Sequence, residues 1–158
     1  MNRKNAESGS VDLEEMPGHH IRRLHQIAVA VFLQETEAHG ITPVQYAALQ
    51  TVVNSPGIDQ RTLARTIGFD PSTIGGVVDR LEARGLLERQ ADPADRRVRL
   101  LQPTAAGRAL LKAVVPGMLR AQRRMLEPLP PAERREFMRM LRTLVTANNA
   151  LSRAPSEG

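Results

Sequence analysis

The chain has 158 residues, 41% of them hydrophobic and only 3% aromatic, enough for one domain with a mostly aliphatic core. It has no cysteine, which excludes disulfides, thiolate metal sites and thiol redox sensing. No run approaches the roughly 18 apolar residues of a membrane span, and the polar start "MNRKNAESGSVDLEE" lacks a signal-peptide core, so the expected setting is cytoplasmic.

In chain order, residues 1–16 read as a disordered tail, polar and without periodicity. A helix follows from Pro17 to about Ala38, with Ile21, Leu24, Ala28, Val31 and Phe32 at helical spacing and Gly40 as its stop. Thr42-Pro43 supplies a cap and a proline at the first helical position for a second helix that ends at "NSPG". Asp59 caps a short third helix, "QRTLARTIG", closed by Gly68. Asp70-Pro71 opens a fourth, which Gly85 ends. "LLERQA" and "RVRLL" are short and strand-like, joined by "DPADR". Pro103-Thr104 opens a long helix with Pro116 inside it, which predicts a kink; a last helix starts near Ala132. Leu110, Leu111, Val114, Met118, Phe137, Met140, Leu141 and Leu144 form stripes on these two helices that a monomer is not expected to cover.

The formal net charge is +5, which invites a nucleic-acid reading. Yet residues 103–158 carry ten basic and four acidic side chains, whereas 59–102 carry eight and seven. The excess sits in the terminal helices, so pattern and not net charge has to locate any DNA face.

The pattern is a helix-turn-helix, from Asp59 to Arg89. Ile74, Val77, Val78 and Leu81 make one apolar stripe on the fourth helix, to be buried. The other face is small and polar: Ser72, Gly76, Asp79 and Ala83, flanked by Thr73, Arg80 and Arg84. Gly75-Gly76 costs roughly 1 kcal/mol per glycine against alanine. Either a bare backbone lets the helix sit deep in a major groove, with Ser72, Thr73 and Arg80 reaching bases or phosphates, or the glycines permit close helix–helix contact. Asp79 suits a cytosine amino group or a nearby arginine.

A hairpin directly after a helix-turn-helix is a wing. Arg96 and Arg97 look surplus to a turn that Asp92-Pro93 can make. At the tip they can enter a minor groove, whose potential is negative, with Asp95 holding one of them by a charge-assisted hydrogen bond. A solvated polar hairpin is the alternative.

With "DPSTIGGVVDRLEARGLLER", "DPADRRVRLLQPTAAGRAL" and long helices at both ends, residues of about 20 to 150 resemble the MarR family of winged helix-turn-helix transcription factors. The resemblance implies a mainly α fold with a small β-hairpin. Residues 41–102 would form the DNA-binding module, and 17–40 and 103–153 the dimerisation helices. It implies an obligate homodimer that presents its two modules to successive major grooves and is controlled by a small ligand. Many members have a threonine-arginine pair where this chain has Gly75-Gly76.

The candidate effector site is on the first helix, "GHHIRRLHQ". His20, Arg23, Leu24 and Ile27 share a half-apolar, half-cationic face, to which Tyr46 of the second helix can add a hydroxyl. Surface charge for the first four and a core hydrogen bond for Tyr46 are the plain alternatives. An apolar slot with a few donors suits an aromatic acid or its coenzyme A thioester. His20 and His25 stand about 140° apart around a helix, so no metal is expected. No cofactor is expected either, and no catalytic constellation is present. Two other readings are a MarR-type regulator of efflux or stress genes answering lipophilic drugs or phenolics, and a helical interaction module with no DNA role.

Overall fold

A computed structural model describes residues 9–152. The expected tail at 1–8, and the end of the C-terminal segment from 153, lie outside the described residues. Within 9–16 the tail expectation needs correction. Leu13–Glu15 form a single 3-10 turn, because the Asp12 carboxylate accepts from the Glu14 amide at 3.0 Å.

The helices start and stop where capping chemistry puts them. Helix α1 (Pro17–Thr36) runs into a 3-10 turn, Glu37–His39, and left-handed Gly40 ends it (φ 57°). Helix α2 (Pro43–Asn54) opens with a reciprocal box: Thr42 Oγ1 accepts from the Gln45 amide, and Gln45 Oε1 from the Thr42 amide, both at 3.2 Å. Asp59 caps α3 (Gln60–Ile67) and left-handed Gly68 closes it; Asp70 caps α4 (Pro71–Ala83). Thr104 caps α5 (Ala105–Leu126), and Pro131 begins α6 (Pro131–Asn148). Helix α5 runs unbroken through Pro116. The carbonyl that the proline leaves without a donor belongs to Lys112, and both residues lie on the exposed side.

Strands β1 (Ile58–Asp59), β2 (Leu87–Ala91) and β3 (Arg99–Pro103) form an antiparallel sheet in the order β1-β3-β2. Leu101 is central, paired with Ile58 on one side and Arg89 on the other. The second strand of the hairpin starts at Arg99 and not at Arg97, because Arg97 and Val98 are consumed by the turn before it. The sheet packs on α2–α4 as a winged helix-turn-helix. Its core is aliphatic: Leu49, Val52, Leu63, Ile74, Val78, Leu81 and Leu101 are fully buried.

Helix α5 joins this module to α1. Leu111 and Val114 are buried in the chain's own core, with Leu110 and Met118 packed against it. That corrects the expectation that a monomer leaves these four uncovered: α1 lies along them. Helix α6 is different. It buries no residue, and Met140, Leu144 and Val145 stay exposed.

Two glycines set how α5 sits. A Cβ on Gly107 would stand 2.0 Å from the Leu86 carbonyl oxygen, and one on Gly117 would stand 2.4 Å from that of Glu35. A glycine inside a helix ordinarily costs roughly 1 kcal/mol against alanine, but here the backbone opposite reverses the sign. Gly107→Ala is expected to lower the unfolding free energy by about 1–3 kcal/mol or more, read by denaturant melting. A gain in stability would show that α5 stands farther from Leu86 than described.

Candidate nucleic-acid interface

Asp70 organises the first turn of α4. Its carboxylate accepts from the Thr73 amide at 2.9 Å, from Thr73 Oγ1 at 2.7 Å and from the Ser72 hydroxyl. The Ser72 and Thr73 hydroxyls, then its amide bonds, hold the Asp70 carboxyl well below the usual carboxylate range. Both hydroxyl hydrogens are therefore committed. The oxygens keep their lone pairs and both residues are exposed, so Ser72 and Thr73 can act as acceptors, suited to adenine or cytosine amino groups.

Beyond that turn the outer face of α4 is bare. Ile74, Val77, Val78 and Leu81 are buried as expected. A Cβ on Gly75 would meet Gln60 Nε2 at 3.6 Å, and one on Gly76 would meet only Arg80 at 3.8 Å. Both are ordinary contacts, so the glycines do not serve close packing against another helix of this chain. Arg80 is exposed and touches no acid among the described residues, its guanidinium lying 3.5 Å from the Gly76 carbonyl oxygen of its own helix.

Asp79 pairs with an arginine, and that arginine is Arg89. Arg89 reaches Asp79 and Glu82 at 2.7 Å each, Gln60 Oε1 at 3.2 Å and the Gly75 carbonyl at 3.4 Å. It sits in β2 and ties the wing to α3 and α4. Nothing in the sequence singled it out, although acids at positions 79 and 82 faced a strand with one arginine. Arg84 also serves the framework, donating to the Gly40 and His39 carbonyls at 2.8 and 3.1 Å. Gly85 turns the chain (φ 68°), and Thr104 Oγ1 donates to its carbonyl at 2.6 Å.

The wing tip holds two turns. The Asp92 carboxylate accepts from the Ala94 amide at 2.8 Å. Asp95 to Val98 is a second turn, closed by the Val98 amide on the Asp95 carbonyl at 2.9 Å. Arg96 and Arg97 are its two central residues, so they are part of the turn and not surplus to it. Asp95 accepts from the Arg97 amide, Nε and a terminal guanidinium nitrogen at 3.0, 3.0 and 3.1 Å. This fork fixes an arginine whose side chain is 91% exposed. The Arg97 guanidinium and amide hold the Asp95 carboxyl below its ordinary value, and Asp95 raises that of Arg97. Arg96 is exposed and makes no hydrogen bond or ion pair among the described residues.

The five effector candidates do not converge within one protomer. His20, Arg23, Leu24 and Ile27 share the first half of α1, where Arg23 and Ile27 are exposed. His20 Nε2 lies 2.8 Å from the Glu14 carbonyl oxygen. Tyr46 packs its ring against Phe32, centroids 5.8 Å apart, and donates to Gln50 Oε1 at 3.2 Å. Burial pushes its phenol up. Phe32 lies about 18 Å along α1 from His20, a span that an aromatic acid alone does not bridge.

Gly75→Ala and Gly76→Ala are each expected to raise stability by roughly 1 kcal/mol and, if this face enters a groove, to weaken DNA binding. Melting and gel-shift assays read the two effects separately. Stability gained with DNA affinity unchanged would remove the bare face from recognition.

Comparisons with known proteins agree with this geometry. Residues 39–98 match the MarR family. The chain is 30% identical over 137 residues to the HTH-type transcriptional repressor NicR of Pseudomonas putida, covering 87% of each chain. The PcaV transcriptional regulator of Streptomyces coelicolor, solved with its natural ligand, superposes with a TM-score of 0.81 at 37% identity, over 87% of this chain and 97% of that one. BpsR of Bordetella bronchiseptica, whose DNA binding is regulated by 6-hydroxynicotinic acid, superposes with a TM-score of 0.80 at 33% identity, over 85% and 96%.

Proposed function

The chain belongs to the MarR family and is a transcriptional repressor of that type, and from this premise we propose that it binds a pseudo-palindromic operator as a homodimer and is released by an aromatic acid or its coenzyme A thioester. The observation that carries the DNA reading is the outer face of α4. It is bare at Gly75 and Gly76, edged by Ser72, Thr73 and Arg80, and stands beside a wing whose Arg97 is held outward by Asp95. Helix α4 enters the major groove, and Arg96 and Arg97 follow the backbone into the minor groove.

The dimer reading rests on α6. An 18-residue helix that buries none of its residues, with Met140, Leu144 and Val145 exposed, needs a partner. A second copy supplies the same stripe. In such a pair the two α4 helices stand roughly 34 Å apart, one turn of the duplex.

The effector reading rests on the first half of α1. Arg23 is exposed and makes no ion pair among the described residues, beside exposed Ile27 and half-buried Leu24. Arg23 grips the carboxylate bidentately, the two aliphatic residues take the ring, and His20 shifts from Glu14 to a ring hydroxyl. Tyr46, against Phe32 toward the other end of α1, comes within reach only of the longer coenzyme A thioester. The similarity to BpsR, regulated by 6-hydroxynicotinic acid, supports the same ligand class here. The ligand must favour the arrangement that does not fit DNA, because equal affinity for both arrangements shifts nothing.

Gel shifts on the DNA upstream of the protein's own gene, with and without a panel of hydroxylated and heteroaromatic acids, test the whole proposal. The expected results are a shift that the best binder abolishes, an Arg97→Ala variant weakened by about tenfold, the size of one charged contact, and an Arg23→Ala variant that binds DNA but ignores the acid. No shift would refute the operator reading. A shift that no acid disturbs would refute the effector reading alone.

A further inference from the structure

A cleft of about 730 Å³ opens between α3 and the tip of the wing. Arg61 and Arg65 of α3 line one wall, Arg97 and Arg99 of the wing the other, and Asp59 and Asp95 complete the charged lining. Both carboxylates are held by other partners. Asp59 accepts from the Thr62 amide at 2.9 Å and the Thr62 hydroxyl at 2.5 Å. Asp95 is held by Arg97. The side chains of Arg61, Arg65 and Arg99 are exposed and make no hydrogen bond or ion pair among the described residues.

Four guanidinium groups against two carboxylates leave this concavity net positive, and Arg61, Arg65 and Arg99 form no ion pair with either acid, so it concentrates anions. Guanidinium groups match phosphate oxygens in a bidentate fork. Pro71, the first residue of α4, also lines the cleft, so it adjoins the end of α4 that carries Ser72 and Thr73. Arg61 and Arg65 stand one helical turn apart, about 6 Å along α3, so they can take different phosphates of one strand. The sequence did not group these residues, because Arg99 is 34 positions beyond Arg65.

We propose that this cleft is a phosphodiester-binding site, in which Arg61, Arg65 and Arg99 grip the DNA backbone beside the groove that α4 enters. The site rests on the DNA reading above and adds what that reading lacks, a sequence-independent grip. It fixes the position of the module on the duplex and carries no base information. It also explains why the module, with its nearly balanced charge, needs no overall basic excess.

The test is the salt dependence of binding by Arg61→Gln, Arg65→Gln and Arg99→Gln, on the protein's own upstream DNA and on a random-sequence duplex. Thermal melting confirms that each variant folds. Each lost phosphate contact lowers the steepness of log affinity against log salt by about 0.9, so a fourfold rise in salt costs each variant about 3.5-fold less affinity than it costs the wild type. The loss should be the same fold on both DNAs, and Arg65→Lys should restore the slope. Arg80→Gln serves as contrast and should lower the preference for the upstream DNA. Wild-type slopes in all three glutamine variants, with the wild type binding normally, would overturn the cleft while leaving the DNA reading intact. No binding by the wild type at low salt would overturn both. A calorimetric titration with inorganic phosphate separates the remaining source. Saturable binding lost in Arg65→Gln, with unchanged DNA slopes, would assign the cleft to a free anion and overturn the backbone site.

Discussion

Helix α5 crosses two other stretches of backbone at distances that only glycine permits. At Gly107 it lies on the Leu86 carbonyl, just after the turn that ends α4; at Gly117 it lies on the Glu35 carbonyl, near the end of α1. A single rigid helix thus touches the frame of the winged module and the long N-terminal helix without a side chain between. Further contacts lock the same joints. Thr104 donates to the Gly85 carbonyl, Arg84 grips the carbonyls of His39 and Gly40, and Glu35 accepts from Arg120 at 2.7 Å and Arg124 at 2.8 Å. The guanidinium groups of Arg120 and Arg124 hold the Glu35 carboxyl below its ordinary value. A displacement of α1 therefore has no soft layer in which to dissipate before it reaches α4. This packing is what would couple the proposed effector surface on α1 to α4: packed backbones are bistable and do not deform continuously.

The proposed DNA-facing surface is built on the opposite principle. Where the frame is closed, the outer face of α4 is left open, and a Cβ added at either of its glycines would meet nothing nearer than 3.6 Å. The charged groups around it fall into two sets. Asp79, Glu82 and Arg89 answer one another and hold the wing to the helix. Arg80 and Arg96, and in the neighbouring cleft Arg61, Arg65 and Arg99, are answered by no acid among the described residues. Asp70 and Asp95 sit between the sets, spending their charge on fixing Ser72, Thr73 and Arg97 in place. Fixing a contact residue before the DNA arrives reduces the ordering cost of binding.

Much of this was legible in the sequence because caps and stops are local. Thr42, Asp59, Asp70 and Thr104 cap their helices, and Gly40, Gly68 and Gly85 turn left-handed, as their positions suggest. The buried stripe of α4 followed from a period of 3.6. What failed was non-local. Strand β1, two residues long, is too short to show alternation and exists only because β3 pairs with it. The sequence shows that Gly107 and Gly117 are glycines but not which carbonyls stand opposite. Leu111 and Val114 were assigned to a partner because nothing in a stripe says which helix covers it, and α1 does. The place of Tyr46, whose ring packs on Phe32 toward the other end of α1, was likewise not legible in the sequence.

The central claim is that α5 ties each winged module rigidly to α1, so that in the proposed homodimer the two modules move as one pair. The absence of cysteine makes a direct measurement simple. A spin label at Glu88→Cys, exposed on β2 and outside the face assigned to DNA, reports the distance between the two modules by pulsed dipolar spectroscopy. On operator DNA the account predicts a single narrow distance, moved to a different value by the effector. Absence of dipolar coupling at any protein concentration, or a broad distribution that neither DNA nor effector changes, would contradict it.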